Sequence, residues 1–142
     1  MKFRFADEDV FCIEKDVAVT QTEGIEACEC VVWLQPNVVW IEAKASSPKP
    51  QNGEKIDGFI EKICKKFTDS MSLFDDLRNK RLGEEAFGRL PRHLQGDLPD
   101  WDHYLICLII HGHQLDWLNG SCSGYTMVRC TLIMPEEPII LS

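Results

Sequence analysis

The chain has 142 residues, 44% of them apolar and 27% charged, which predicts a single globular domain over residues 1–142. Its formal net charge of −8 argues against tight nonspecific binding of nucleic acid by the chain as a whole, because such binding depends on neutralising phosphates. No apolar run approaches the roughly 20 residues of a membrane span, and the acidic start is unlike a secretory signal. We therefore expect a cytoplasmic protein with no membrane partner.

The first half of the chain predicts an antiparallel hairpin. Residues 3–12 favour a short edge strand, and residues 14–24 favour either a short strand or an irregular connection. Two β-rich runs follow, residues 25–34 and 38–45, and the sequence Gln-Pro-Asn at 35–37 separates them. Proline and asparagine both suit turns, so the two runs are predicted to pair around this turn.

After the hairpin, apolar residues at helical spacing predict one long helix from residue 53 to about residue 80. A short helix is predicted over 84–90, a buried strand over 104–110 and a last strand over 125–134. This order predicts an α/β fold in which helices flank a mixed sheet. The helical stripe expected to be buried against the sheet consists of Ile56, Phe59, Ile60, Ile63 and Phe67.

The predicted hairpin places three charged side chains on one face. If a four-residue loop pairs Gln35 with Val38, Glu29 lies opposite Lys44 and shares a face with Glu42. Proline fits poorly in a two-residue primed turn, which favours the longer loop. The long helix is expected to cover the opposite face, with Cys28, Cys30, Val32 and Ile41.

Two carboxylates and an amine on one face have a chemical use. Carboxylate oxygens are the ligands that Mg²⁺ prefers, and such an ion polarises a phosphodiester and lowers the pKa of a bound water. A nearby lysine orients or deprotonates that water, or stabilises the developing negative charge. Without metal the two acids repel, so one should have a raised pKa. The alternative is a solvated edge with a Glu29–Lys44 ion pair worth roughly 0.2–1 kcal/mol.

An acid on one predicted strand, Glu29 in ACECVVWL, is followed by a turn, by Glu42 and Lys44 in WIEAK on the next strand, and then by a helix and another strand. This order resembles the PD-(D/E)xK nuclease superfamily and its small, poorly characterised bacterial members. The resemblance implies a restriction-endonuclease-like fold and hydrolysis of phosphodiesters, with Glu29, Glu42 and Lys44 as catalytic residues. It also implies Mg²⁺ or Mn²⁺ as cofactor, held by Glu29, Glu42 and Glu14. The chain departs from the family pattern in having glutamate as the first acid and no Gln-x-x-x-Tyr in the helix after the hairpin.

The resemblance implies a nucleic acid as partner, DNA rather than RNA, and allows a homodimer whose two sites cut both strands. The alternative, favoured by the acidic net charge, is a non-catalytic nuclease-fold module for binding or assembly, for example in a defence system. Phosphate contacts are expected from the basic residues between positions 49 and 92, namely Lys49, Lys55, Lys62, Lys65, Lys66, Arg78, Lys80, Arg81, Arg89 and Arg92.

Three further sets of residues have simpler interpretations. The seven cysteines follow no secreted disulfide framework and are expected to be reduced, mostly buried side chains. His111 and His113, near Asp116, form either a metal-ligand pair or a polar strand exit, and the second interpretation is favoured. Trp33 and Trp40 are expected to lie opposite each other in the hairpin and to pack together.

Overall fold

The computed structural model of the protein describes residues 2–45, 53–100, 103–110, 130–133 and 140–141. Its strands are β1 (Lys2–Phe3), β2 (Val10–Phe11), β3 (Cys30–Leu34), β4 (Asn37–Lys44), β5 (Tyr104–Ile110), β6 (Cys130–Ile133) and β7 (Ile140–Leu141). Its helices are a 3₁₀ turn (Ile13–Lys15), α1 (Val17–Thr20), α2 (Gly53–Arg78), α3 (Glu84–Gly88) and α4 (Arg92–Gln95).

Five strands form one mixed sheet in the order β2-β3-β4-β5-β6, and β1 pairs in parallel with β7. β2, β3 and β4 are antiparallel neighbours, whereas β5 and β6 continue the sheet in parallel. A parallel neighbour needs a crossover connection, and the chain between β4 and β5 contains α2, α3 and α4. The expected mixed α/β sheet with an antiparallel hairpin and flanking helices is confirmed.

The turn of the hairpin is shorter than expected. Leu34 pairs with Asn37, so only Gln35 and Pro36 form the loop, and the peptide bond between them is cis. The prediction of a four-residue loop was therefore wrong. It rested on the poor fit of proline in a two-residue primed turn, and that argument assumed a trans peptide bond before the proline. Cys30 lies opposite Ile41, so the register is shifted by two residues from the expected one, and the expected pairing of Glu29 with Lys44 was wrong. The Glu29 amide donates to the carbonyl of Ile41, so Glu29 lies beside Ile41 just before the paired strand begins. Because the shift is even, Glu42 and Lys44 keep their common face.

The long helix covers the opposite face from the one expected. The core between α2 and the sheet contains Val31 and Trp40, whereas Cys30, Val32 and Ile41 belong to a separate cluster on the other face. Cys28 does lie under α2, since the chain before Cys30 is not yet a strand and side chains there do not alternate. Both faces of the hairpin are apolar, and spacing alone does not indicate which one a helix covers.

The expected buried stripe of α2 is confirmed only in part. Ile63 and Phe67 are buried, but Ile56, Phe59 and Ile60 are half-buried. Trp33 pairs with Val38, and Trp40 pairs with Val31, so the expected tryptophan pair was wrong. Trp40 instead packs edge-on against Phe74 of α2, with 5.1 Å between ring centroids. The deepest helix–sheet contact therefore lies in the C-terminal two-thirds of α2.

Other expectations have mixed outcomes. β2 lies at the sheet edge and β5 spans the predicted residues, whereas residues 14–24 form helical turns and a loop rather than a strand. His111, His113 and Asp116 lie outside the described residues.

Those cysteines whose side chains the structure describes are all free, and burial raises the pKa of the Cys28 thiol to about 12. Within the described part of the chain, no helix is long and apolar enough to cross a membrane.

Candidate active site

The side chain of Glu42 lies beneath α2, on the sheet face that the helix covers. It is 1% exposed, and its neighbours in β4, Trp40 and Ile41, are also buried. One oxygen, Oε1, accepts a hydrogen bond from Lys66 Nζ and forms an ion pair with Lys44 Nζ, each at 2.8 Å. Lys44 comes from the same strand and Lys66 from α2, so helix and sheet meet at this carboxylate.

The second oxygen of Glu42, Oε2, has no hydrogen-bond partner among the residues that the structure describes in side-chain detail. The indole Nε1 of Trp40, two residues earlier on the same face, is likewise buried and unpaired there. A buried polar atom left unsatisfied costs about 1–3 kcal/mol, so sites of this kind usually have a further role or ligand. Glu42 thus offers one oxygen held by lysines and one open to another positive group.

Glu29 directly precedes β3 and is half-buried. The Glu29 amide donates a hydrogen bond to the carbonyl of Ile41 at 3.0 Å, which holds Glu29 beside β4, the strand that contains Glu42. Burial raises the pKa of Glu29, and the negative charges of Glu42 and Glu14 raise it further, against a backbone hydrogen bond from Ala43 that lowers it. One of the two paired carboxylates was expected to have a raised pKa, and Glu29 is that residue.

Lys66 is fixed by a short chain of hydrogen bonds. Its carbonyl accepts from the Ser70 hydroxyl at 2.6 Å, and the same hydroxyl oxygen accepts from the Cys28 amide at 2.8 Å. The buried Ser70 therefore ties this turn of α2 to the residue before Glu29. Burial lowers the pKa of Lys66, but the hydrogen bond and charge of Glu42 outweigh it, so the pKa is raised and the ammonium stays protonated.

The predicted site residues differ in how closely the structure brings them together. Glu42 and Lys44 form an ion pair on the helix-covered face, and Glu29 lies near enough for the charge of Glu42 to raise its pKa. Glu14, in the 3₁₀ turn, is exposed and influences Glu29 and Lys66 through its charge. The solvated-edge alternative does not fit Glu42, which is buried and bonds two lysines rather than lying at a wet surface.

Sequence reasoning missed Lys66, which appeared only among the basic residues of the middle of the chain. A signal existed, since Lys66 lies three residues after the buried Ile63 and next to the buried Phe67. Ser70 continues the same stripe. Polar residues at stripe positions of an amphipathic helix need buried partners, and here the partners are Glu42 and the Cys28 amide.

The site has few direct ligands for a metal ion. Among the described residues, no group of three or more His, Cys, Asp or Glu side chains is arranged to hold one. Glu42 and Glu29 are the two acids brought together, and Glu14 as a third ligand stays a prediction. Mg²⁺ is commonly bound through one or two carboxylates, with water and phosphate oxygens in its other positions. The unpartnered Oε2 and the raised pKa of Glu29 fit a cation of that kind.

The basic residues of the middle of the chain are mostly bound to acids. Lys65 contacts Asp69, Lys80 contacts Glu84, Arg81 contacts Asp75 and Asp76, and Arg89 contacts Asp16. In the described part of the chain, Lys55, Lys62 and Arg92 make no ion pair. Lys49 lies outside it. The local excess of positive charge is therefore smaller than the sequence alone indicates.

Comparison with family models, with curated proteins and with solved structures finds no match to this chain. Any functional interpretation rests on the geometry of Glu42, Glu29 and the two lysines.

Proposed function

We propose that the protein is a nuclease of the restriction-endonuclease-like fold that hydrolyses nucleic-acid phosphodiesters, DNA in the first instance, with Mg²⁺ or Mn²⁺. The main support is the arrangement of Glu42, a buried carboxylate with two ammonium groups on one oxygen and, among the residues whose side chains are described, none on the other. Burying a charge is costly, and a structural ion pair gains from satisfying both oxygens. An oxygen left open at the helix–sheet junction is better explained by a ligand that binds there.

Glu42 Oε2 and the carboxylate of Glu29 are the groups that would hold the cation. Once bound, a divalent ion would polarise the phosphodiester and lower the pKa of a coordinated water. The chain's own contribution is to hold the two carboxylates near each other; burial is the main cause of the raised pKa of Glu29, and the negative charge of Glu42 raises it further. A cation relieves the repulsion between the two carboxylates, so metal binding and fold stability are coupled.

Lys44 is the residue that would act on the substrate. Its side chain is 31% exposed, so its ammonium can leave Glu42 and donate to a non-bridging phosphate oxygen. There it would stabilise the negative charge that develops as a water oxygen bonds to phosphorus and the bond to one sugar oxygen breaks. One proton of the water passes to solvent, and the sugar oxygen takes a proton from solvent.

The test combines a thermal melt with a cleavage assay. We expect Mn²⁺ and Mg²⁺ to raise the melting temperature of the wild type, by the equivalent of about 2.7 kcal/mol at a hundred times the dissociation constant. Plasmid DNA, single-stranded DNA and RNA should be tested in parallel, with Ca²⁺ to separate binding from cleavage. Glu42→Gln should abolish most of the metal-induced rise and all cleavage. Lys44→Ala should abolish cleavage but keep the rise.

Two exposed residues of α2 provide matched controls. Glu61→Gln and Lys62→Ala make the same changes of charge on α2, away from Glu42, and both should keep the metal-induced rise in melting temperature. Glu61→Gln should also cleave like the wild type. The proposal fails if neither metal shifts the wild-type melt and no substrate is cleaved.

A second candidate is a non-catalytic binding or assembly module, and the pairing of the basic residues favours it. With most Lys and Arg side chains of the middle region bound to acids and a net charge of −8, little positive surface is left for a phosphate backbone. A gel-shift series at low salt with Ca²⁺ distinguishes the two candidates. Binding that weakens steeply with salt supports the nuclease, and no binding to any nucleic acid supports the module.

A further inference from the structure

Two lysines on one carboxylate oxygen are more than neutralisation requires. Lys44 and Lys66 both lie 2.8 Å from Glu42 Oε1, and a single ammonium would balance that charge. Like charges brought to one atom repel each other, so the second lysine is unexplained by charge pairing alone. The two residues also differ in their surroundings.

The difference lies in how firmly each lysine is held. Lys66 is 23% exposed and projects from the middle of a 26-residue helix, in a turn that Ser70 ties to the Cys28 amide. Lys44 is the last residue of β4 and is more exposed, at 31%. One lysine projects from the middle of a long helix and the other stands at the end of a strand.

We infer that Lys66 is a positioning residue of the proposed site: its ammonium anchors Glu42 Oε1, which presents Oε2 to the cation and leaves Lys44 free to contact the phosphodiester. This inference rests on the proposed function. It assigns different work to the two lysines, whereas a simple clamp would make them equivalent. Groups that orient a metal ligand typically contribute 10–100-fold to metal affinity or activity.

The affinity for metal distinguishes a positioning role of Lys66 from simple charge pairing, because loss of the anchor and loss of the positive charge change that affinity in opposite directions. Removing a nearby positive charge, by itself, makes a cation bind more tightly. Losing the anchor of a ligand makes it bind more weakly. Lys66→Met keeps the aliphatic stem and removes the ammonium, and Lys44→Met does the same at the other position. Calorimetry with Mn²⁺ alone measures the affinity of each variant without reference to cleavage.

For Lys66→Met we expect the Mn²⁺ dissociation constant to rise about 10–100-fold. On a DNA substrate its kcat should fall with KM unchanged, since Lys66 contacts Glu42 rather than the substrate. For Lys44→Met the dissociation constant should stay equal or fall while cleavage is lost. Lys62→Met, one helical turn before Lys66 and exposed, should match the wild type in Mn²⁺ affinity.

Lys66→Gln provides a second, milder variant if Lys66→Met does not fold, and its affinity should change in the same direction. Unchanged or tighter Mn²⁺ binding in the folded Lys66 variant, with normal binding by the wild type, overturns the inference and leaves the proposed function standing. Equal weakening by Lys44→Met and Lys66→Met also overturns it, since the lysines are then equivalent. A wild type that binds no Mn²⁺ overturns the proposed function and the inference together.

Discussion

Two carboxylates are buried in the part of the chain whose side chains are described, Asp16 and Glu42, and they are held in different ways. Arg89 binds Asp16 through two parallel hydrogen bonds, Nε to Oδ1 at 2.8 Å and Nη2 to Oδ2 at 3.0 Å. Oδ2 also caps α1 by accepting from the Ala18 amide at 3.0 Å. Both oxygens of Asp16 are satisfied by one cation with matching geometry.

Glu42 has two cations and yet one unsatisfied oxygen. Counting ion pairs would make it the better stabilised of the two, but the distribution of partners over the oxygens indicates the reverse. A buried ion pair contributes to stability only when its remaining hydrogen bonds are made. The pairing of Asp16 is therefore the one expected of a purely structural acid, whereas the pairing of Glu42 supports the proposed role in binding a further ligand.

The largest expected effect tests the packing that closes α2 over Glu42. Phe67, next to Lys66, is 1% exposed in the core between helix and sheet. Phe67→Ala should lower the free energy of unfolding by about 3–5 kcal/mol, because it removes a large buried side chain and leaves a cavity. Urea denaturation measures the loss, and Ile56→Ala, half-buried on the same helix, should cost clearly less. A loss below about 0.5 kcal/mol would place Phe67 at the surface.

The second effect concerns Asp16. Asp16→Asn keeps the shape but removes the charge that Arg89 binds, and should cost about 1.5–3 kcal/mol of unfolding free energy at pH 7. Burial raises the pKa of Asp16, but the hydrogen bonds from Arg89 and Ala18 outweigh it and lower the pKa overall. A lowered pKa contributes stability above the ordinary value of about 3.9 that is lost as the pH falls further.

The difference between wild type and Asp16→Asn should therefore be constant above about pH 5 and shrink below about pH 4. Asp97→Asn, an exposed acid, serves as control and should show neither the loss nor the pH dependence. A cost for Asp16→Asn no larger than that of the control contradicts the structural role assigned to this pair.

Glu42→Gln should lower the free energy of unfolding by less than Asp16→Asn does. The amide oxygen can still accept from a lysine, and both lysines are exposed enough for the other ammonium to reach water. We expect a change within about 1 kcal/mol in urea denaturation without metal, because the partly exposed ammonium groups can reach water and no cation is left buried without a partner. A loss as large as that of Asp16→Asn would show that Glu42 is also a structural acid.

The sequence predicted the hairpin, the long helix and the buried strand β5 because each has a strong local pattern. It also placed Glu42 and Lys44 on a common face, since a shift of the register by two residues preserves faces. It did not predict which sheet face α2 covers, because both faces of the hairpin are apolar. That choice depends on contacts distant in sequence, such as Trp40 with Phe74.

The role of Lys66 was hidden for the same reason. Its partner Glu42 lies 24 residues earlier in the chain, and only the helix-to-sheet packing brings them together. The loop length was also missed, because the argument against proline in a primed turn left out a cis Gln35–Pro36 bond. Local rules therefore located the acids, and tertiary packing determined their partners.

The smallest expected effect is the change in stability caused by Glu29→Gln, and the sign of that change is informative. The raised pKa of Glu29 means that the folded protein holds protons that the unfolded chain releases. Stability from this group is therefore lost as the pH rises from the ordinary glutamate value of about 4.3 through the folded pKa, and the loss stays constant above it. Glu29→Gln removes this penalty, so without metal its melting temperature should exceed that of the wild type at pH 7 and not at about pH 4.

With Mn²⁺ the order should reverse, because the wild type gains binding energy that Glu29→Gln has lost. Thermal melts at two pH values, with and without metal, test both signs, and Glu26→Gln, a nearby exposed acid, should shift neither. If Glu29→Gln is less stable than the wild type without metal at pH 7, Glu29 stabilises the fold, as Asp16 does. An acid whose removal stabilises the metal-free fold, and whose presence is needed for the metal to do so, is retained for binding rather than for folding.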